Sequence, residues 1–117
     1  MATRNHNWTR EDNIVALYYY RFGTQHLGVD EKEIVSIIGT TVASLKMQSK
    51  NFEMLETGRS GLSDYSKTQL DVYNDFGKVP RYTLHKEVKN HLNLDGYITQ
   101  KIISSKYGNR KLKPLTI

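Results

Sequence analysis

Apolar residues recur along this chain at the three- and four-residue spacing of amphipathic helices, and several segments also carry start and stop signals. The first predicted helix runs from about Arg10 to Phe22, because Thr9 and Asp12 form a capping box at its start and Gly23 can end it. The pattern at this end of the chain therefore predicts a well-delimited helix.

A short second helix and a longer third helix follow, separated by a tight turn that contains glycine. Asp30 and Glu33 form a second capping pair ahead of a short apolar run. Thr40 or Thr41 caps the third helix, which we expect to end at about Leu55. This arrangement of short helix, turn and helix matches the helix-turn-helix pattern.

Two more helices are predicted beyond a loop rich in glycine and serine. One runs over about residues 67–76. The other follows Pro80, which suits a first helical turn, and repeats Leu84, Val88 and Leu92 at every fourth position. The expected fold is all-α: a tri-helical helix-turn-helix core, two further helices and a basic C-terminal arm.

The C-terminal part has a less decisive pattern. Asp95–Gly96 is a turn signal, and residues 97–107 combine β-branched side chains typical of a strand with a spacing compatible with a helix, so both alternatives stay open. We expect the basic run 110–113 to be a flexible arm. The chain is accordingly divided into a helical domain over residues 1–95 and a basic extension over residues 96–117.

Length and composition limit the class of protein. A chain of 117 residues suits one domain with a modest core. It contains no cysteine, which excludes disulfides and thiolate metal sites, and it shows neither a membrane span nor a secretory signal. These features favour a cytoplasmic protein.

The net charge of +5 arises in the C-terminal extension. Residues 1–95 carry 12 basic and 12 acidic side chains, whereas residues 96–117 carry 5 basic and no acidic ones. A cationic arm on a neutral body suits phosphate binding, because neutralising several phosphates releases counterions. The alternative is a solvated tail that only improves solubility.

The third helix offers chemistry suited to DNA. Its apolar residues share one face, and residues 40–51 otherwise carry amides, hydroxyls and lysines without an acidic side chain, which suits base edges and phosphates. The alternative is an ordinary solvated helix, and for Met47 we favour packing under the fourth helix over contact with a thymine methyl group. The predicted nucleic-acid-binding residues are Thr40, Thr41, Ser44, Lys46, Met47, Lys50, Asn51, Arg59, Lys106, Arg110, Lys111 and Lys113.

Other candidate groups have simpler interpretations. The tyrosines at positions 18–20 favour core packing over stacking on unpaired bases, with at least one ring exposed because consecutive helical residues point in different directions. His85 and His91 are expected to be surface histidines on different sides of the fifth helix, without carboxylates at a metal-binding spacing. Since no nucleophile or cofactor motif is recognisable, we expect a non-enzymatic protein without metal or cofactor.

Three segments carry a family resemblance. They read Trp-Thr-Arg-Glu-Asp at residues 8–12, Thr-Val-Ala-Ser-Leu-Lys-Met-Gln-Ser-Lys-Asn-Phe at residues 41–52, and Gly-Leu-Ser-Asp-Tyr-Ser-Lys-Thr-Gln-Leu-Asp-Val-Tyr-Asn-Asp-Phe at residues 61–76. Together they resemble the N-terminal helical domain ahead of many bacterial HNH restriction-type endonucleases, which implies a prokaryotic or phage module associated with DNA. The sequence has no His-Asn-His cluster, so the resemblance does not imply that this chain cleaves DNA. The first segment is also similar to the start of Myb-like three-helix domains, which bind DNA through their third helix.

These features predict a double-stranded DNA-binding protein of bacterial or phage origin that reads the major groove with residues 41–55 while the basic arm follows the backbone. Its expected role is transcription regulation, or an accessory function in a restriction or mobile-element system. The alternative is a small phage-type interaction module or inhibitor that binds a host nucleic-acid enzyme through exposed tyrosines.

Overall fold

The computed structural model describes residues 6–58 and 65–107, with side chains up to residue 105. Six helices lie in these ranges: α1 (Arg10–Phe22), α2 (Glu31–Ile38), α3 (Val42–Thr57), α4 (Lys67–Phe76), α5 (Arg81–Leu92) and α6 (Leu94–Tyr107). The described ranges contain no strand, so the predicted all-α class is confirmed. None of these helices is long and apolar enough to cross a membrane.

Side-chain caps start the first two helices as predicted. Thr9 and Asp12 form the reciprocal capping box of α1, and Asp30 and Glu33 form that of α2. Each pair satisfies backbone N–H groups that have no partner inside the helix, which fixes the residue at which the helix begins.

A turn of three residues separates α2 from α3. Gly39 adopts a left-handed conformation with φ of 91°, which a residue with a Cβ rarely adopts, and its N–H donates to the carbonyl of Val35 at 2.8 Å. Thr41, rather than Thr40, then caps α3: its hydroxyl accepts from the backbone N–H of Ser44 at 3.1 Å. The turn thus sets where α3 begins.

Helix α1 lies at the centre of the fold and packs against α3, α4 and α5. The Tyr18 ring centroid is 6.2 Å from that of His85 in α5, whereas the Tyr20 hydroxyl donates to Glu56 in α3. Positions two residues apart point about 200° apart around a helix, so α3 and α5 lie on opposite sides of α1. Fully buried side chains from these helices form one core: Val15, Ala16, Leu17, Tyr18, Leu45, Phe52, Val72, Leu84 and Val88.

The C-terminal part of the described chain is helical, which resolves the open alternative and corrects one prediction. Asn93 ends α5 in a left-handed conformation, and the N–H of Tyr97 donates to its carbonyl at 3.0 Å, so α6 begins immediately. The turn predicted at Asp95–Gly96 is therefore wrong, and the boundary drawn there falls inside α6. Tyr97 and Lys101 both donate to Glu33, which joins α6 to the start of α2.

Candidate nucleic-acid interface

Three predicted residues form an open surface on α3. Lys46, Met47 and Lys50 are all exposed, and Met47 is 63% accessible to solvent. Spacings of three and four residues place them on one side of the helix, here called the outer strip. Neither lysine forms an ion pair within the described ranges. The predicted packing of Met47 under α4 is wrong, because Leu45 and Phe52 occupy the inner side of α3.

Asn51 belongs to the inner side of α3, in contrast to its predicted place on the binding face. It is 6% exposed, and its Nδ2 donates to Oε1 of Gln69 in α4 at 3.1 Å. Gln69 is itself buried and forms the capping box of α4 with Ser66. The α4 start therefore covers position 51, although its neighbour Lys50 is open to solvent.

The hydroxyl groups near the start of α3 are also engaged within the protein. Oγ of Ser44 accepts a hydrogen bond from Nε1 of Trp8 at 3.2 Å, and the side chain is partly buried. Thr41 is exposed, but its hydroxyl serves as the helix cap, and Thr40 is partly buried. The open part of α3 thus offers lysines and a methionine rather than hydroxyls and amides.

Charge varies along α3. Its first turn contains no acidic residue, whereas the first turns of α1 and α2 each contain two. The N-terminal end of a helix carries a partial positive charge that falls off within the first turn, so it adds to the charge of Lys46, the lysine nearer that end. Toward the other end, Glu53 is exposed. The attraction for an anion is therefore greatest along the first half of α3.

Five further predicted residues have side chains outside the described part of the chain. Lys106 lies in α6, and its side chain is outside the described part of the chain. The remaining four also lie outside the described residues: Arg59, Arg110, Lys111 and Lys113.

The consecutive tyrosines of α1 are covered more completely than predicted. Tyr18 is fully buried, and Tyr19 and Tyr20 are partly buried against the core. The Tyr19 hydroxyl donates to Glu31, and this bond raises the pKa of Tyr19 to about 12. Burial and the bond to Glu56 raise the pKa of Tyr20 to about 12. The prediction of an exposed ring is wrong, because neighbouring helices surround α1 on several sides.

A buried carboxylate near the start of α1 joins two histidines. Asp12 has one oxygen 2.8 Å from Nε2 of His6 and the other 2.8 Å from Nε2 of His91. Burial raises the pKa of Asp12, but the hydrogen bonds from His91, His6 and the Thr9 backbone outweigh it, so the pKa is lowered. His91 is exposed, as predicted, and its ring is also a partner of Asp12. Within the described ranges, no set of three histidine or carboxylate side chains is arranged to hold a metal ion.

The contact of His91 with Asp12 has no signal in the local sequence, whereas the position of Gln69 has one. His91 is 79 residues from Asp12, and no local spacing connects them. Ser66 and Gln69, by contrast, have the Ser-x-x-Gln spacing of a capping box, which could have indicated that the Gln69 side chain turns back to the start of α4.

Comparison of the chain with protein-family models, curated proteins and solved structures finds no match. The function must therefore be argued from the residues and their geometry.

Proposed function

We propose that this chain is a non-enzymatic double-stranded DNA-binding protein that places the outer strip of α3 against the major groove. The observation that carries the proposal is the exposure of Lys46 and Lys50 without an ion pair in the described ranges, on either side of the exposed Met47. Lysines suit phosphates and guanine edges, and a methionine suits the methyl group of thymine.

The chemistry of the outer strip favours phosphate-dominated binding. Ser44 and Asn51, the side chains best suited to read base edges, are hydrogen-bonded inside the protein. Without them the strip lacks an amide for bidentate contact with adenine. We therefore propose strong salt dependence and modest sequence preference, with the basic extension adding phosphate contacts. Such a protein suits a regulatory role, or an accessory role in a restriction or mobile-element system of a bacterium or phage.

Fluorescence anisotropy with a labelled mixed-sequence duplex over a series of salt concentrations tests the proposal. The full chain should bind at low salt and lose affinity steeply as salt increases. In the double variant that combines Lys46→Glu with Lys50→Glu, the slope of log K against log salt should become less steep by about 2, because each phosphate contact contributes about 0.9.

A matched control reverses Lys67 and Lys78, two exposed lysines outside α3. It changes the net charge equally, so it should lower affinity much less than the α3 pair. Absence of duplex binding at low salt, or equal losses in both pairs, would refute the proposal.

The alternative of a protein-interaction module makes a different prediction for the same titration. Its proposed contacts were exposed tyrosines: Tyr19 and Tyr20 are partly buried and hydrogen-bonded, whereas Tyr82 in α5 is exposed. A partner held through an aromatic interface should remain bound as salt increases, whereas DNA should dissociate.

A further inference from the structure

Tyr82 is the most exposed of the tyrosines whose side chains the structure describes. Its side chain is 68% exposed, and within the described ranges its ring packs on no other aromatic ring and its hydroxyl has no hydrogen-bond partner. The hydroxyls of four other tyrosines, by contrast, donate to acceptors within the protein: Tyr18, Tyr19, Tyr20 and Tyr97. Within the described ranges, the Tyr82 side chain therefore contributes neither a hydrogen bond nor a contact between aromatic rings to the fold.

Lysines accompany Tyr82 on the outer side of α5. Lys86 follows it by four residues, which places the two side chains next to each other, and Lys86 forms no ion pair within the described ranges. Lys89 extends the same side, and its exposed contact with Asp95 at 3.4 Å is of the weak surface type. The acidic residue of α5, Glu87, instead lines a cleft beside α1 with Glu11.

This surface points away from the outer strip of α3. Tyr82 lies two positions before the buried Leu84, about 200° around α5, so its side chain projects away from α1. Since α3 and α5 lie on opposite sides of α1, a straight duplex in contact with the outer strip would not reach Tyr82. A ligand that contacts Tyr82 must therefore be either a separate segment of nucleic acid or a partner of another kind.

We infer that Tyr82 and Lys86 form a second nucleic-acid contact, which takes a single strand. Bases inside a duplex are already stacked on one another, so an exposed ring stacks at least cost on an unpaired base, and neighbouring lysines can neutralise the phosphates of the same strand. An aromatic ring with cations beside it is the arrangement by which proteins hold single strands without reading sequence. The inference adds single-strand binding to the duplex binding proposed for α3.

Anisotropy titrations of the full chain against a labelled, non-self-complementary single-stranded oligonucleotide test the inference. Tyr82→Ala should weaken binding about tenfold, whereas Tyr82→Phe, which keeps the ring, should retain it. Lys86→Ala should reduce the salt slope by about 0.7, the value for one phosphate of a single strand. Thermal unfolding should be unchanged in all three variants.

Ile102→Ala is a matched control, since it also removes an exposed apolar side chain, but from α6. It should leave single-strand affinity unchanged, and Tyr82→Ala should leave duplex affinity unchanged, so failure of either proposal is visible separately. The inference is overturned if the full chain does not bind the oligonucleotide at low salt, or if Tyr82→Ala binds it as tightly as the unaltered protein. Self-association that Tyr82→Ala abolishes, with single-strand affinity intact, would instead identify an interface between copies of the chain.

Discussion

Lys50 and Asn51 are neighbours in α3, but they have opposite environments. Lys50 is exposed without an ion pair in the described ranges, whereas Asn51 is buried against α4 and hydrogen-bonded to Gln69. Both residue types occur in DNA-reading helices, so residue type alone did not separate them. The comparison shows that the inner side of α3 includes polar residues as well as apolar ones, and that contacts from distant segments decide which polar residues remain available.

The largest expected effect of a substitution on α3 is at the inner residue Phe52. This ring is fully buried, so Phe52→Ala should lower the free energy of unfolding by about 4 kcal/mol through lost burial and a cavity. Met47→Ala on the outer strip should change it by less than about 0.5 kcal/mol. Urea denaturation of both variants measures the difference, and similar losses would contradict the assignment of the two sides.

Loss of the inner amide should have the next largest effect. Asn51→Ala leaves Gln69 with one partner fewer in a buried setting and should cost about 2 kcal/mol of stability. The reciprocal variant Gln69→Ala also removes the half of the α4 capping box in which Oε1 of Gln69 accepts from the Ser66 backbone N–H, so it should be at least as destabilising. The structure shows the two side chains in contact, so the double variant should lose less stability than the sum of the two single losses. A loss equal to that sum would show that the two side chains are not coupled.

A smaller effect is expected where the N-terminal segment meets α3. Ser44→Ala removes the acceptor of the Trp8 indole N–H and should cost about 1 kcal/mol. Trp8 is the single tryptophan of the chain, so its fluorescence reports the change directly. The emission should shift toward that of an indole in water, and an unchanged spectrum together with unchanged stability would count against this contact.

A further prediction contrasts the outer-strip lysines with Lys101, which has a carboxylate partner. Its bond to Glu33, together with the Asp30 backbone N–H and Tyr97, lowers the pKa of Glu33 to about 2 from an ordinary value of 4.5. The carboxylate therefore contributes stability above about pH 4.5, and this contribution is lost as the pH falls through about 2.

Glu33→Gln should reduce the acid sensitivity of the fold, with a modest effect because the group is near the surface. Unfolding midpoints at a series of pH values between 2 and 7 measure it. Charge reversal at Lys46 or Lys50 should leave this part of the profile unchanged. An unaltered profile in Glu33→Gln would show that this contact does not hold α6 to α2.

The sequence predicted the helices best where local signals mark both ends. The bounds of α1 and α4 agree with the predicted ones, because capping residues precede each helix and a glycine follows it. The start of α6 was missed because Asp95–Gly96 is a turn signal when only the neighbouring residues are considered. In the structure both residues lie in α6, and contacts of Tyr97 and Lys101 with Glu33 hold this helix against α2.

The candidate site was predictable only in part, for a physical reason. Exposure of Lys46 and Lys50 follows from the helical period around Leu45 and Phe52. The burial of Asn51 depends instead on Gln69, and the engagement of Ser44 depends on Trp8, which is 36 residues away. Neither partner can be assigned from the spacing of residues within α3.

The most direct test of the proposed interface compares Lys50→Ala with Asn51→Ala, two adjacent positions, in duplex titrations at a temperature where both variants are folded. Lys50→Ala should leave the unfolding midpoint unchanged, weaken duplex binding and lower the salt slope by about 0.9. Asn51→Ala should lower the midpoint and leave the affinity of the folded protein unchanged. The reverse pattern, with Asn51→Ala losing affinity and Lys50→Ala binding normally, would contradict the assignment of the outer strip as the DNA-binding surface.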